Sequence, residues 1–381
     1  MLYEIVHQFP DDMIFEEKGP FISLYQPTHK HFPENKQDPI VFKNLIRKIE
    51  QSLQKKAEKR LVISIMKPFY ELEEDKDFWN TTSTGIAVLA SQNKCIVYKL
   101  HSMVKEFAVV ADSFHIKPLI KAFQGMECYH LLTLSRDNFT LYEGNRYGFT
   151  EVKLEPDVPS TLKDVLGDQL TEPYLGSGSF GGGGSPIYYE QGGKEEEIGK
   201  DTEKYFRYID RFIFEKYSKP SKSSLILVSL KEYHAVFKQI SHNSYLLDQG
   251  INASYSTLDV KDMASKAIEI IENINLKKTE KIVQSYAKAE AESLGSSDIA
   301  QVAKAAYESR VETVLIEADK IVPGRIHDNG AITFDDIDHP DIDDILDDLA
   351  VLVLKRKGNV MVLSKDKMPQ AAVVAAIYRY R

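Results

Sequence analysis

The chain has 381 residues, is 43% hydrophobic and 28% charged, and carries a formal net charge of -9, the usage of an ordinary globular protein of two or three domains. That charge excludes whole-protein attraction to nucleic acid, so any such binding must rest on a local basic face. The opening MLYEIVHQFPDDMIFEE has acids where a secretory signal needs bases, and no apolar run approaches the ~20 residues of a membrane span, so a soluble, cytoplasmic protein without membrane contact is expected.

The first element is FISLYQP (Phe21–Pro27), a β-rich run stopped by proline. His29, Lys30 and His31 follow, a compact polar group without a third metal ligand in view, read as a solvated loop. A helix then begins at Pro39 and runs to Arg60, with Ile40, Val41, Leu45, Ile49 and Leu53 on its apolar face. Its opposite face collects Lys43, Arg47, Lys48, Lys55, Lys56, Lys59 and Arg60. Gly85–Ser91 and Lys94–Leu100 read as paired strands turned at Gln92-Asn93, and Ile116–Phe123 as a short helix. Cys95 and Cys128 sit in strand-like apolar runs without a CxxC pair, so both are expected to be buried, inert thiols.

A three-stranded meander is expected next, over Tyr129–Ser135, Phe139–Glu143 and Phe149–Leu154, with turn residues between the runs. After a polar stretch comes GSGSFGGGGSPIYYEQGGKEEE (Gly176–Glu197). Glycine loses more freedom on folding than any other residue, so this segment resists ordering by itself. It fails the Walker pattern, because Tyr188 stands at the first glycine position and Glu195 at the hydroxyl position. An amphipathic helix is read from Asp201, with Tyr205, Ile209, Phe212 and Ile213 inward. Ser223–Leu230 is a buried strand and Glu232–Ile240 a helix. The segment therefore lies between a meander and a helix of one α/β layer domain, where a linker between independent domains does not belong.

A long helix is expected from Val260 to about Leu294, with Met263, Ala267, Ile270, Ile271 and Ile274 as its core face. Asp298 caps a following helix, Val311–Ala318 is a strand, and Asp344–Gly358 is a helix closed by glycine. Asn359–Ser364 is a further strand, and AAVVAAIYRYR (Ala371–Arg381) is read as a last edge strand. The acidic run Phe334–Asp348 breaks the EF-hand rule at Pro340 and suits a helix N-terminus better than a metal, so no metal site is assigned.

Taken in order, these blocks resemble the archaeo-eukaryotic peptide-chain release factors, and more closely the bacterial archaeo-eukaryotic release factor family. The resemblance rests on GPFISLYQPTH, FKNLIRKIEQSL and GIAVLAS with CIVYKL in the first block. In the second it rests on YHLLTLSRDNFTLYEGNRYGFTEVKL, the glycine segment, EKYFRYIDRFIFEKY and SLILVSLKEYHAVF. SSDIAQVAKAAYESRVETVLIEA and AAVVAAIYRYR carry it in the third. It implies an α/β (α+β) protein of three domains. These would be a release-factor N-terminal-like α/β domain (1–125), a central RNase H-like domain (126–254) and a C-terminal α/β/α sandwich of the kink-turn-binding ribosomal-protein type (255–381).

The function implied is translation-associated: binding at the ribosomal A site in termination, rescue or hibernation, with ribosomal RNA and tRNA as partners, a translational GTPase beside them, and no cofactor. The glycine segment 176–194 stands where the family's catalytic tip is carried, making Gly181, Gly182, Gly183, Gly184, Gln191, Gly192, Gly193 and Lys194 the candidate loop residues. The RNA-facing candidates are Lys36, Lys43, Arg47, Lys48, Lys55 and Lys56. The chain departs from the release factors in two motifs. It has no Gly-Gly-Gln, since Gln191 precedes its glycine pair, and PENKQDP stands in place of Asn-Ile-Lys-Ser. Both departures argue against peptidyl-tRNA hydrolysis by the family mechanism and against stop-codon reading. Two alternatives stay open: a metal-dependent or ester hydrolase on the RNase H-like domain, for which Asp137 and Glu143 are a thin carboxylate set, and a non-catalytic interaction scaffold.

Overall fold

The computed structural model describes all residues except 1, 30–32, 125–127, 146–147, 168–190, 254–258, 328 and 335–342; for 191–195 and 371 it describes the backbone. The chain divides into two compact units, one of residues 1–125 with 277–381 and the other of residues 126–276.

The amino-terminal part of the first unit begins with β1 (Glu4–Ile5), β2 (Phe21–Pro27), α1 (Asp38–Lys56), α2 (Lys59–Glu74) and α3 (Lys76–Asn80). It continues with β3 (Gly85–Ala90), β4 (Cys95–Leu100), β5 (Phe107–Ala111) and α4 (Lys117–Phe123). Its sheet runs β1-β4-β3-β2-β5, with β2 antiparallel to both neighbours. Both faces of β2 and β3 are covered, so their residues read as nearly continuous apolar runs. Alternation still sorts them: Ile22, Leu24, Ile86 and Val88 face α1 and α2, whereas Tyr25, Ala87 and Leu89 join the opposite core.

Helix α1 buries Phe42, Leu45, Ile46, Ile49 and Leu53, while Ile40 is 61% exposed and Val41 only half-buried. The apolar face is therefore rotated from the expected one. Ile40 lies in the first turn, beside the buried Asp38, which accepts the His29 backbone N–H (2.8 Å) and pairs with His29 Nδ1 (2.8 Å). His29 is thus tied to a helix start as well as solvated; Lys30 and His31 lie outside the described residues. The expected single helix to Arg60 is broken at Ala57, which is extended, and α2 begins at Lys59. Pro68 inside α2 hides that helix from pattern reading, since proline ordinarily ends one.

The first unit resumes in the second half of α9 (Val260–Ala291) and then β11 (Gly295–Ser296), α10 (Ile299–Tyr307), β12 (Val311–Glu317), β13 (Gly324–Ile326) and β14 (Ile332–Phe334). It ends with α11 (Ile345–Lys355), β15 (Asn359–Leu363) and β16 (Val374–Tyr378). The sheet order β11-β16-β12-β15 corrects the expectation for the last strand: β16 lies inside the sheet, antiparallel to both β11 and β12. Its outer neighbour is a two-residue strand, too short to leave a sequence signal. Val302, Ala305 and Ala306 of α10 and Leu346, Leu349 and Val353 of α11 pack with Phe114, Ile116, Leu119 and Ile120, so both stretches of the unit share one core. The sheet's other face carries Leu315, Leu363 and Ala375 against Tyr286 and Met368.

The second unit holds β6 (Tyr129–Leu134), β7 (Phe139–Asn145), β8 (Gly148–Glu151), α5 (Leu162–Leu166), α6 (Gln191–Ile213) and α7 (Lys219–Ser221). It also holds β9 (Ser224–Ser229), α8 (Lys231–Ile240), β10 (Ile251–Asn252) and the first half of α9 (Val260–Ala291). The expected meander is present as β6-β7-β8, and β9 adds to β6 in parallel, giving the order β10-β9-β6-β7-β8. One face packs on α5, α6 and α8 through Leu132, Leu141, Tyr205, Ile209 and Phe237; the other packs on Met263, Ala267, Ile270 and Ile271 of α9. Cys95 is buried as expected, but Cys128 is exposed, because it precedes β6 instead of lying within it. No helix among the described residues is long and apolar enough to cross a membrane.

Candidate functional site

The glycine segment is rooted at both ends on one core. Before it, α5 opens with a capping box: the Asp164 N–H donates to Thr161 Oγ1 and the Thr161 N–H to Asp164 Oδ2, both at 3.1 Å. Leu162 and Leu166 pack in the same cluster as Tyr205, Phe206 and Ile209 of α6, and the Tyr205 hydroxyl donates to the Ser160 carbonyl (2.7 Å). The described elements on either side of residues 168–190 therefore belong to a single packed layer. Gly181, Gly182, Gly183 and Gly184 lie outside the described residues.

Gln191, Gly192, Gly193 and Lys194 have helical backbone and form the start of α6, ten residues ahead of the expected Asp201. Two adjacent glycines each cost about 1 kcal/mol of helix propensity, which is why the pattern shows the helix only later. An i,i+4 pair, Lys200 Nζ to Glu196 Oε1 at 2.9 Å, lies in the added turns.

The basic residues of α1 are exposed, as a solvent-facing stripe requires: Lys43, Arg47, Lys48, Lys55 and Lys56, with Lys36 in the 3-10 turn just ahead. Acids and carbonyls temper this face. Lys43 Nζ lies 2.9 Å from Glu73, Lys48 Nζ 3.9 Å from Glu106, and Lys56 Nζ donates to the Val110 carbonyl at 3.0 Å. Exposed ion pairs of this kind contribute about 0–1 kcal/mol. Among the described residues Arg47 and Lys55 have no ion pair.

Sequence reading missed a second polar assembly, inside the first unit. Asp344 caps α11, accepting the Leu346 and Val322 N–H groups at 3.0 Å each. Asp347 Oδ1 accepts the Ile116 (2.7 Å) and Lys117 (2.8 Å) N–H groups at the start of α4. Lys117 Nζ is ion-paired with Asp344, lies 3.7 Å from Asp347 and donates to the Lys320 carbonyl (2.6 Å). All three side chains are buried. His115 Nδ1 stands 3.4 Å from Asp347.

Beside this assembly opens a cleft of about 540 Å³ whose lining includes Ser113, Arg325, Asp343, Asp348, Tyr307 and Arg356. Asp348 accepts the Ser113 hydroxyl (2.5 Å) and the Ile326 N–H (3.1 Å), yet burial pushes its carboxyl up to about 7, with Asp343 and Asp347 adding repulsion. Burial also raises Asp343, against the pull of the Asp112 N–H and Arg325. The run Phe334–Asp348 announces carboxylates, but nothing local announces that Lys117 neutralises them.

Gly324 immediately precedes Arg325 and Ile326 of the cleft lining. Its φ is +138°, and an added Cβ would fall on the Thr333 carbonyl oxygen of the paired strand. Gly324→Ala is expected to lower stability by about 2–3 kcal/mol, read as a shift in urea midpoint; an unchanged midpoint refutes the account.

Of the candidates for hydrolysis, Asp137 lies in the β6–β7 turn and Glu143 is exposed on β7. Among the described residues no three His, Cys, Asp or Glu side chains are grouped to hold a metal.

Residues 128–310 match the family model described as Bacterial archaeo-eukaryotic release factor family 3. No curated protein matches the chain. Solved structures similar to it include an archaeal translation termination factor (12% identity, 95% of this chain and 93% of that chain, TM-score 0.26). Archaeal Pelota, in a model of ribosome-bound Pelota and ABCE1, gives 12% identity over 78% and 73%, TM-score 0.42. Dom34 of S. cerevisiae, a translation termination-like factor, gives 13% over 82% and 78%, TM-score 0.39. The span 128–310 takes in the second unit's sheet, both roots of the glycine segment and α10, and over that span the chain is similar to bacterial archaeo-eukaryotic release factor family 3.

Proposed function

We propose that the chain is a translation-associated factor that docks in the ribosomal A site during termination, rescue or hibernation. The observation that carries this reading is the family match over 128–310, a span that contains the glycine segment and the two helices of one core that flank it. Segment 176–194 reaches toward the tRNA acceptor end, where glycine allows backbone to approach RNA closely. Lys36, Lys43, Arg47, Lys48, Lys55 and Lys56 contact ribosomal RNA phosphates, which give affinity without reading sequence. A translational GTPase accompanies the factor. The proposal keeps the three-domain division, with an RNase H-like centre, supported by its mixed five-stranded sheet, and a kink-turn-protein-like carboxy-terminal sandwich.

Ribosome pelleting tests this. The full chain is expected to co-sediment; deletion of 176–190 is expected to lower the bound fraction, and the charge reversal K43E/R47E/K48E to lower it by tenfold or so, the scale of a few lost phosphate contacts. Co-sedimentation unchanged by both variants would sink the mechanism.

A further inference from the structure

The solvent side of α6 is a cationic stripe. Lys200, Lys204, Arg207 and Arg211 recur at helical spacing and are all exposed, spanning ~16 Å at 1.5 Å per residue. Between residues 200 and 222 Lys and Arg outnumber Asp and Glu by seven to four in a chain of net charge -9. Two of the four acids are buried, and one of these, Asp210, is already used by the Ser241 hydroxyl (2.5 Å) and the His242 N–H (2.9 Å). What faces solvent is therefore strongly positive. Lys200, Lys204 and Arg207 have Glu196, Asp201 and Glu203 at 2.9, 3.2 and 3.8 Å, pairs of exposed cations worth little, and Arg211 has no ion pair among the described residues.

Aromatic rings lie beside the stripe. Tyr208 and Phe212 stack at 6.1 Å with planes 7° apart, and Tyr217 meets Phe212 edge-on at 5.8 Å; all three are half-buried and keep surface open. The helix turns from α to π geometry at Phe214–Ser218, a bulge found often at functional sites. Beneath Tyr217, edge-on at 5.9 Å, lies His130 on the central strand β6. It is 97% buried by its 3% exposure, and its Nδ1 has no hydrogen-bond partner. Burial lowers its pKa and keeps the ring neutral, so an uncharged polar atom waits unpaired under the aromatic group.

A solvated helix face accounts for the stripe alone. It does not account for partly open aromatic rings, a π turn and an orphaned buried nitrogen at the same place. We propose that this face, centred on Arg207, Arg211, Lys216, Tyr208, Phe212 and Tyr217, binds single-stranded RNA, with its phosphates on the cations and its bases stacked on the rings. Single strands are favoured over duplex because only unpaired bases offer their faces to side chains. Lys219 and Lys222, both exposed, extend the stripe past the bulge. The inference rests on the second unit alone and is independent of the ribosome reading.

The test is fluorescence anisotropy with a labelled oligouridylate of about 15 nucleotides, inside the ~4–16 span of single-strand sites. A duplex of equal length is the second probe, and both are titrated between about 50 and 200 mM salt. Wild type is expected to bind the single strand more tightly than the duplex. R207Q/R211Q/K216Q is expected to weaken binding at least tenfold and reduce the salt slope by about 2, at ~0.7 per phosphate contact. Y208S is expected to weaken it roughly five- to a hundredfold, the scale of one lost base stack. R207K/R211K, which keeps the charge, is expected to retain binding. No wild-type binding, equal affinity for the duplex, or Gln and Ser variants that bind as wild type each overturn the inference. A chain that pellets with ribosomes but ignores the oligonucleotide overturns this inference and leaves the ribosome reading standing.

Discussion

Lys117→Met is expected to lower the stability of the first unit by about 3–5 kcal/mol, the cost of removing one partner from a buried ion pair. The ammonium is 5% exposed and serves Asp344 and Asp347, which are 0% and 2% exposed at their side chains. Methionine preserves the four-atom stem and removes the ammonium together with its hydrogen bond to the Lys320 carbonyl, so packing changes little. Backbone N–H groups remain on both carboxylates, two on each, and hold the loss nearer the lower figure. Trp79 supplies the readout: it is the only tryptophan of the chain, it is buried in the first unit, and its indole N–H donates to the Leu72 carbonyl at 2.9 Å. Urea unfolding followed by its fluorescence should show the lowered midpoint. Adding Asp347→Asn to Lys117→Met should restore part of the loss, because it removes one of the two stranded charges. A single-variant loss under about 1 kcal/mol would show that the pair is not what neutralises the cluster.

The cluster also shows where sequence reading stops. Local regularities were legible: the β-rich run of β2 stopped by proline, the pairing of β3 with β4 across a short turn, turn residues between β6, β7 and β8, and the Asp298 cap of α10, whose carboxylate accepts the Gln301 N–H at 2.8 Å. Each depends on residues close together in the chain. Lys117 was visible only as the second residue of a short helix read over Ile116–Phe123, and its partner Asp344 lies 227 residues away. No window that spans a helix contains both. The same reason hid the inward position of β16, set by pairing with a two-residue strand. At α6 the sequence misled through propensity: Gly192-Gly193 looks like the end of a loop, but the backbone there is already helical. The face of α1 was misread by including Ile40 and Val41, since the first helical turn can point apolar side chains outward without penalty to the buried stripe behind it. On the candidate site, sequence supplied the basic residues of α1 and the position of the glycine excursion. It could not supply the π turn or the unpaired His130 nitrogen, both products of the folded layer.

Asp348 gives the pH dependence its direction. Its folded carboxyl titrates at about 7 against an ordinary 3.8, so between those values the folded chain holds a proton that the unfolded chain has released. Stability from this group is fully present below about pH 4 and is lost as pH rises through 7, the reverse of a salt-bridged aspartate. Three pK units correspond to about 4 kcal/mol. Asp75 and Asp319, whose carboxyls are lowered chiefly by hydrogen bonds from Tyr3 and Lys105, act in the opposite sense, so the raw profile of the wild type mixes both. Asp348→Asn separates them. The amide keeps an oxygen for the Ile326 N–H and offers an N–H to the Ser113 hydroxyl, reproducing the neutral acid without its titration. Near pH 4 the two proteins should unfold at similar urea concentrations. By pH 8 the variant should be the more stable by a few kcal/mol, because the wild type must then hold Asp348 as an anion beside Asp343 and Asp347. Parallel profiles for the two proteins from pH 4 to 8 would mean that Asp348 is ionised throughout and that the cleft floor is better solvated than its burial implies.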